Sequence, residues 1–85
     1  MQQFIDMVME AVENGQQISV WYEGDIVLVY SFIPYECNFD GRIYIEGEGD
    51  ILHIKNVNGV EVFYDDIDNE YHIHINDINI FIKPF

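Results

Sequence analysis

The sequence predicts an α+β fold that is mostly β, with a helix over residues 1–15 followed by an antiparallel meander of six to seven strands over 17–85, curled into a small barrel-like sheet. Three observations lead there. Apolar residues recur with the helical period as far as Val12 and with a period of two from Gln17 onward. Beyond that point β-branched and aromatic residues dominate, in short runs separated by Gly, Asn and Asp. The runs also follow one another too closely for the crossover helices that parallel strands need, so neighbours are expected to be antiparallel.

In the first segment Phe4, Val8, Ala11 and Val12 form one stripe, widened by Ile5 and Met9, with Asp6, Glu10 and Glu13 off it. Asn14-Gly15 supplies a left-handed cap that ends the helix. Ile18, Val20 and Tyr22 alternate with Ser19 and Trp21, and Glu23-Gly24-Asp25 turns the chain. Ile26 to Ile33 is an almost continuous apolar strand that Pro34 ends or places at an edge. Residues around Asn38, Asp40 and Gly41 form a connection. Strands are then expected at Arg42 to Glu46, Ile51 to Lys55, Val60 to Tyr64 and Tyr71 to Ile75. Asn58-Gly59 gives the strongest hairpin signal, because a type I′ turn needs positive φ at both central positions. Apolar parity shifts across Asn76-Asp77 before Ile78, Ile80 and Ile82, as at a tight turn or bulge.

The helix leading into Ile18 to Gly24, then Pro34-Tyr35, then Gly41-Arg42-Ile43-Tyr44-Ile45, resembles small Sm-like or SH3-like barrels of the WYL type. The resemblance spans roughly residues 4 to 64. It implies a barrel, and a regulatory or oligomerisation module whose ligand pocket would use basic residues, a role only Arg42 could fill here.

Charge sets the functional expectation. Sixteen Asp and Glu stand against three Lys and Arg, a net −13 on 85 residues. Such a chain should have a radius of gyration of about 12 Å, and roughly 22 Å of duplex DNA carries the same charge. Direct binding to nucleic acid or to an anionic membrane is disfavoured, whereas a basic protein surface is favoured and electrostatically steered. With 49% hydrophobic residues the chain nevertheless has a core to form, so disorder is excluded, and its length suits one domain spanning 1–85. The lone Cys37 permits no internal disulfide and reads as an inert thiol. With no leader and no apolar run of bilayer length, a soluble cytoplasmic protein is expected.

In an up-and-down meander alternate connections share one end of the sheet. The turns at 23–25, 46–50 and 65–70 should therefore gather Glu23, Asp25, Glu46, Glu48, Asp50, Asp65, Asp66, Asp68 and Glu70 into one acidic pole, with Tyr64 and Tyr71 beside it. Such a pole would stand in for phosphates and accept bidentate bonds from arginine. No nucleophile elbow, phosphate loop or Cys-x-x-Cys pair is present, so no catalytic residue, metal or cofactor is assigned. Asp65 to Glu70 lacks the spacing of a calcium loop, and His72 and His74, two apart on one face, would need a third ligand such as His53.

By size and charge the chain is similar to acidic inhibitors encoded by phages, including DNA mimics, anti-CRISPR and anti-restriction proteins, and to nuclease immunity proteins. The expectation is a non-enzymatic inhibitor whose partner is a basic protein, a nucleic-acid-handling enzyme or nuclease. The alternative is the Sm-like or WYL-like module, oligomerising through an exposed edge strand at Ile78 to Ile82.

Overall fold

A computed structural model describes residues 1–84. The described residues form one helix, α1 (Gln2–Asn14), and eight strands, β1 (Ile18–Glu23), β2 (Val27–Phe32), β3 (Pro34–Asn38), β4 (Ile43–Gly47), β5 (Asp50–Ile54), β6 (Glu61–Asp65), β7 (Glu70–Ile75) and β8 (Ile78–Pro84). All strand pairs are antiparallel, so the α+β, mostly β class holds. The radius of gyration is 11.9 Å, as expected for this length.

The strands do not make one meander or a closed barrel. They form a five-stranded sheet, order β2-β1-β8-β7-β6, and a three-stranded sheet, order β3-β4-β5. The chain starts and finishes the larger sheet and makes the smaller one in between. Pairing of β1 with β8, Ile18 opposite Pro84 and Glu23 opposite Asn79, closes that excursion.

Two sequence expectations change as a result. Ile78 to Ile82 is not an edge, since β8 lies between β1 and β7 with both ladders filled. The exposed edges are instead β2 and β6 in one sheet and β3 and β5 in the other. Asn58-Gly59 does not make a hairpin either: β5 and β6 belong to different sheets, and only Gly59 has positive φ, 76°. The Val60 N–H donates to Val57 O at 3.1 Å, giving a turn of the kind with one left-handed residue that passes the chain between sheets. The strand 34–38 was not expected. Pro34 interrupts the pattern but, as the first residue of an edge strand, loses no ladder bond, and a bulge follows before Glu36.

The core lies between the sheets and the helix. It comprises Phe4, Val8 and Ala11 of α1; Ile18, Val20, Phe32, Tyr71, Ile73, Ile80 and Ile82 of the larger sheet; and Ile43, Ile45 and Leu52 of the smaller. The helix buries the stripe its periodicity marks out, although Met9 stays exposed. Gly15 caps it in the left-handed region, φ 64°.

Candidate functional site

Register decides where the charges go. Because β1 runs toward Glu23 while β7 ends at Ile75 opposite Ile78, the 23–25 turn shares its end of the sheet with the 76–77 turn. The 65–70 turn, with Asp65 opposite Glu70, lies at the other end. The 46–50 turn sits against the end of β2, where Glu48 and Asp50 line a cleft with Ser31, Phe32, Ile33 and Tyr35. Four strand spacings, about 19 Å, separate that edge from β6. The nine carboxylates therefore occupy three corners and do not form the single acidic pole expected of a meander. The strands are not one continuous meander, because the second connection, from β2 to β3, leaves the sheet.

The individual residues differ in availability. Glu23, Asp25, Glu48, Asp66 and Asp68 are exposed, and Glu46, Asp50, Asp65 and Glu70 are half-buried. Glu46 accepts the Tyr44 hydroxyl at 2.6 Å, a bond that pushes Tyr44 up to about 12, aided by burial. Asp65 Oδ1 accepts the N–H groups of Ile67 (3.0 Å) and Asp68 (3.3 Å), so its carboxylate shapes the turn. Tyr64 is exposed and donates to Asn69 Oδ1 at 2.8 Å. Tyr71 belongs to the core, tilted against Phe4 at 5.5 Å, and does not flank an open surface. Asp65, Asp68 and Glu70 each bring a carboxylate oxygen within 4.8 Å of the others, a spacing open to a cation, but three ligands fall short of the six to eight oxygens calcium takes.

The feature that sequence reading missed is on the outer face of the larger sheet. Alternation turns Ile18, Val20, Ile73, Ile80 and Ile82 inward, so Trp21, Phe63, His72 and Phe81 point away from the core. Register places them in one line: Val29 opposite Trp21, Trp21 opposite Phe81, Phe81 opposite His72, His72 opposite Phe63. A single row of apolar and aromatic side chains thus crosses all five strands. His72 stacks on Phe81 with centroids 4.5 Å apart, and Phe63 leans on His72 at 6.2 Å. Val29 is 61% exposed, Trp21 45% and Phe63 52%.

Polar rows flank this line. On one side register sets Val27, Glu23, Asn79, His74 and Glu61 across the sheet. On the other lie Ser31, Ser19 and Lys83, with Glu70 and Asp65 at the far edge. Trp21 Nε1 donates to Glu23 at 2.9 Å, which holds the indole down along the sheet. Asn79 Oδ1 accepts from both His72 Nε2 (2.9 Å) and His74 Nδ1 (3.0 Å), so the two imidazoles are fixed to one amide oxygen. His53, on β5, packs against Tyr44 in the other sheet and does not join them. Beside this face the acidic turn carries Ile67, 91% exposed among Asp65, Asp66 and Asp68.

The signal for the row was in the sequence as apolar residues at the polar positions of alternating strands: Trp21, Val27, Val29, Phe63 and Phe81. Their alignment was not, because it depends on β1 pairing with β8.

Fold and face define a small α+β domain of two antiparallel sheets with one sheet face left open, and among the described residues no helix is long and apolar enough to cross a membrane. No protein-family model, curated protein or solved structure matches the chain.

Proposed function

We propose that the chain is a protein-binding domain that occupies a basic surface of a partner protein, of the kind that otherwise holds nucleic acid, and acts by blocking it. The observation that carries the reading is the row Val29, Trp21, Phe81, His72 and Phe63 with carboxylates set around it: Glu23 and Glu61 on one side, Asp65 and Glu70 on the other. Binding surfaces concentrate energy in a desolvated aromatic centre within a polar rim, and this face has that layout with acidic groups in the rim. The net charge of −13 would steer encounter with a basic surface and repel nucleic acid.

This reading differs from a pure charge mimic in what it asks of the aromatics. Carboxylates at the rim speed association and align the partner, while Trp21 and Phe63 supply the slow dissociation. The test is affinity capture of nuclease-treated lysate proteins on the immobilised chain at about 50 and 300 mM salt, a range over which the screening length falls by more than half. A basic nucleic-acid-binding protein should be retained at low salt, released by added DNA, and lost from Trp21→Ala and Phe63→Ala. Equal capture by those two variants would remove the sheet face from the site, and DNA failing to compete would remove the nucleic-acid-binding surface as its target.

A further inference from the structure

The four sheet edges are not equally guarded. β6 carries Glu61 and Asp65, β3 opens with Pro34 and is bulged, and β5 is five residues long with Asp50 at its start. Charge, proline, bulges and brevity are the devices by which strand edges avoid pairing with other chains. β2 has none of them. It pairs with β1 in unbroken register, Phe32 to Val27, and on its other side with no strand among the described residues. From Ile26 to Ile33 the sequence Ile-Val-Leu-Val-Tyr-Ser-Phe-Ile contains no charge, glycine or proline. Ile26, Val27, Leu28 and Val29 are 60, 57, 49 and 61% exposed.

We propose that β2 pairs with β2 of a second copy of this chain, antiparallel about a two-fold axis, joining two five-stranded sheets into one of ten. The pleat restricts the register. Outward side chains must meet outward side chains, so the axis passes at a residue, Leu28 or Val29, and not between residues. Ile26, Val27, Leu28, Val29 and Ile33 leave roughly 250 Å² of apolar side chain open, and Tyr35 about 100 Å² more. With apolar atoms forming about 65% of a homodimer interface, covering all of this area would bury at most roughly 1,100 Å² over both copies, close to the ~1,000 Å² that a specific interface needs, so the dimer should form only as concentration rises. A second copy suits the strand better than a basic peptide would, because β2 carries no carboxylate to select one.

The proposal stands apart from the partner-binding reading in the sign of its salt dependence. Each copy carries −13, and the two-fold brings Asp25 of one copy toward the cleft of Ile33, Glu48 and Asp50 of the other. Added salt should therefore strengthen the dimer while it weakens capture of a basic partner.

The experiment is sedimentation equilibrium on the purified chain over a concentration series at about 50 and 300 mM salt. The mass should rise from 10.0 kDa to twice that, at lower concentration in the higher salt. Leu28→Lys and Leu28→Asp, each with circular dichroism unchanged, should weaken dimerisation by about tenfold or more, because Tyr22 lies opposite Leu28 across β1 and pairing then buries an unpartnered charge of either sign. Ile51→Lys, the same change at an equally exposed site on β5, should leave it intact. If either β2 variant fails to fold, the other variant and the wild-type salt dependence still decide. A wild type that stays at 10.0 kDa throughout, a dimer that survives both β2 substitutions, or one lost equally in Ile51→Lys would overturn the proposal.

Discussion

Gly47 ends β4 where the two sheets touch, and replacing it by alanine tests that contact directly. A methyl group there would lie 2.5 Å from Cδ2 of Phe32 and 2.6 Å from the carbonyl oxygen of Ile33, where carbon atoms in contact prefer about 3.5–4.0 Å. Neither neighbour yields easily. Phe32 is buried, 5% exposed, and stacks on Tyr30 at 5.9 Å, while Ile33 offers backbone at the step from β2 to β3. Gly47 is not among the residues with positive φ, so the cost is one of packing and not of backbone conformation. Overpacking of this kind costs about 1–3 kcal/mol, and two rigid obstacles put Gly47→Ala at the upper end. With a urea slope of about 1 kcal/mol/M, the midpoint should fall by roughly 2–3 M, and the melting temperature by about 8–24 °C. Trp21, the only tryptophan, reports unfolding by its fluorescence. Gly24→Ala is the control, since its methyl meets mainly the tip of the Tyr22 side chain, and it should cost about 1 kcal/mol or less. A Gly47→Ala midpoint within about 0.5 M of wild type would refute the close contact of the sheets on which the two-layer description rests.

Three further outcomes follow from single side chains. Tyr44 is held up to about 12 by its hydrogen bond to Glu46; its unfolded counterpart releases its proton near pH 10. The bond's contribution to stability is therefore complete below pH 10 and lost as pH rises toward 12, and Tyr44→Phe should abolish that loss together with the last-titrating step in the ultraviolet tyrosinate signal. The Cys37 thiol is pushed up by burial and then by Glu36, so iodoacetamide should alkylate it more slowly than free cysteine at pH 7, with partial acceleration in Glu36→Gln; a rate above that of free cysteine would contradict the geometry. Asp65→Ala should destabilise the domain by about 0.5–1.5 kcal/mol, whereas Asp65→Asn keeps the oxygen that accepts from Ile67 and Asp68 and should cost less in the same urea titration.

What the sequence disclosed was whatever depends on near neighbours. The stripe Phe4, Val8 and Ala11, the cap at Gly15 and the parity of Ile18, Val20, Ile80 and Ile82 are local patterns, and each is met in the fold. Strand partnership is not local. Pairing of Trp21 with Phe81 spans most of the chain, and no periodicity within β1 selects β8 over β4 as its second neighbour. That one choice moved the acidic turns to separate corners, took Ile78 to Ile82 from an edge to the interior, and turned Asn58-Gly59 from a hairpin into a passage between sheets. Tyr71 lies in the core and not beside an acidic surface for a related reason. It adjoins an acidic turn in sequence, but its parity is that of Ile73, which faces the core.

The outer row has a simpler explanation that must be weighed, since aromatic cross-strand pairs stabilise sheets without any partner, each by about 0.2–1 kcal/mol. Phe81 and His72 at the centre fit that account: they stack at 4.5 Å, and Asn79 fixes His72 from the side. The ends of the row do not. Val29 and Phe63 lie on the two edge strands, where there is no further neighbour to pack against, and remain 61% and 52% exposed. A row serving only the sheet would give way to polar residues at its edges. Apolar side chains that continue to both edges gain little from folding and much from being covered. The two edges call for different covers. At β6 the row meets Ile67 and the carboxylates of the 65–70 turn, a surface suited to a basic partner, and at β2 it meets an uncharged open ladder, suited to another strand. Salt separates the two, weakening the first contact and strengthening the second, so one titration on wild type and Leu28→Lys resolves both edges of the same face.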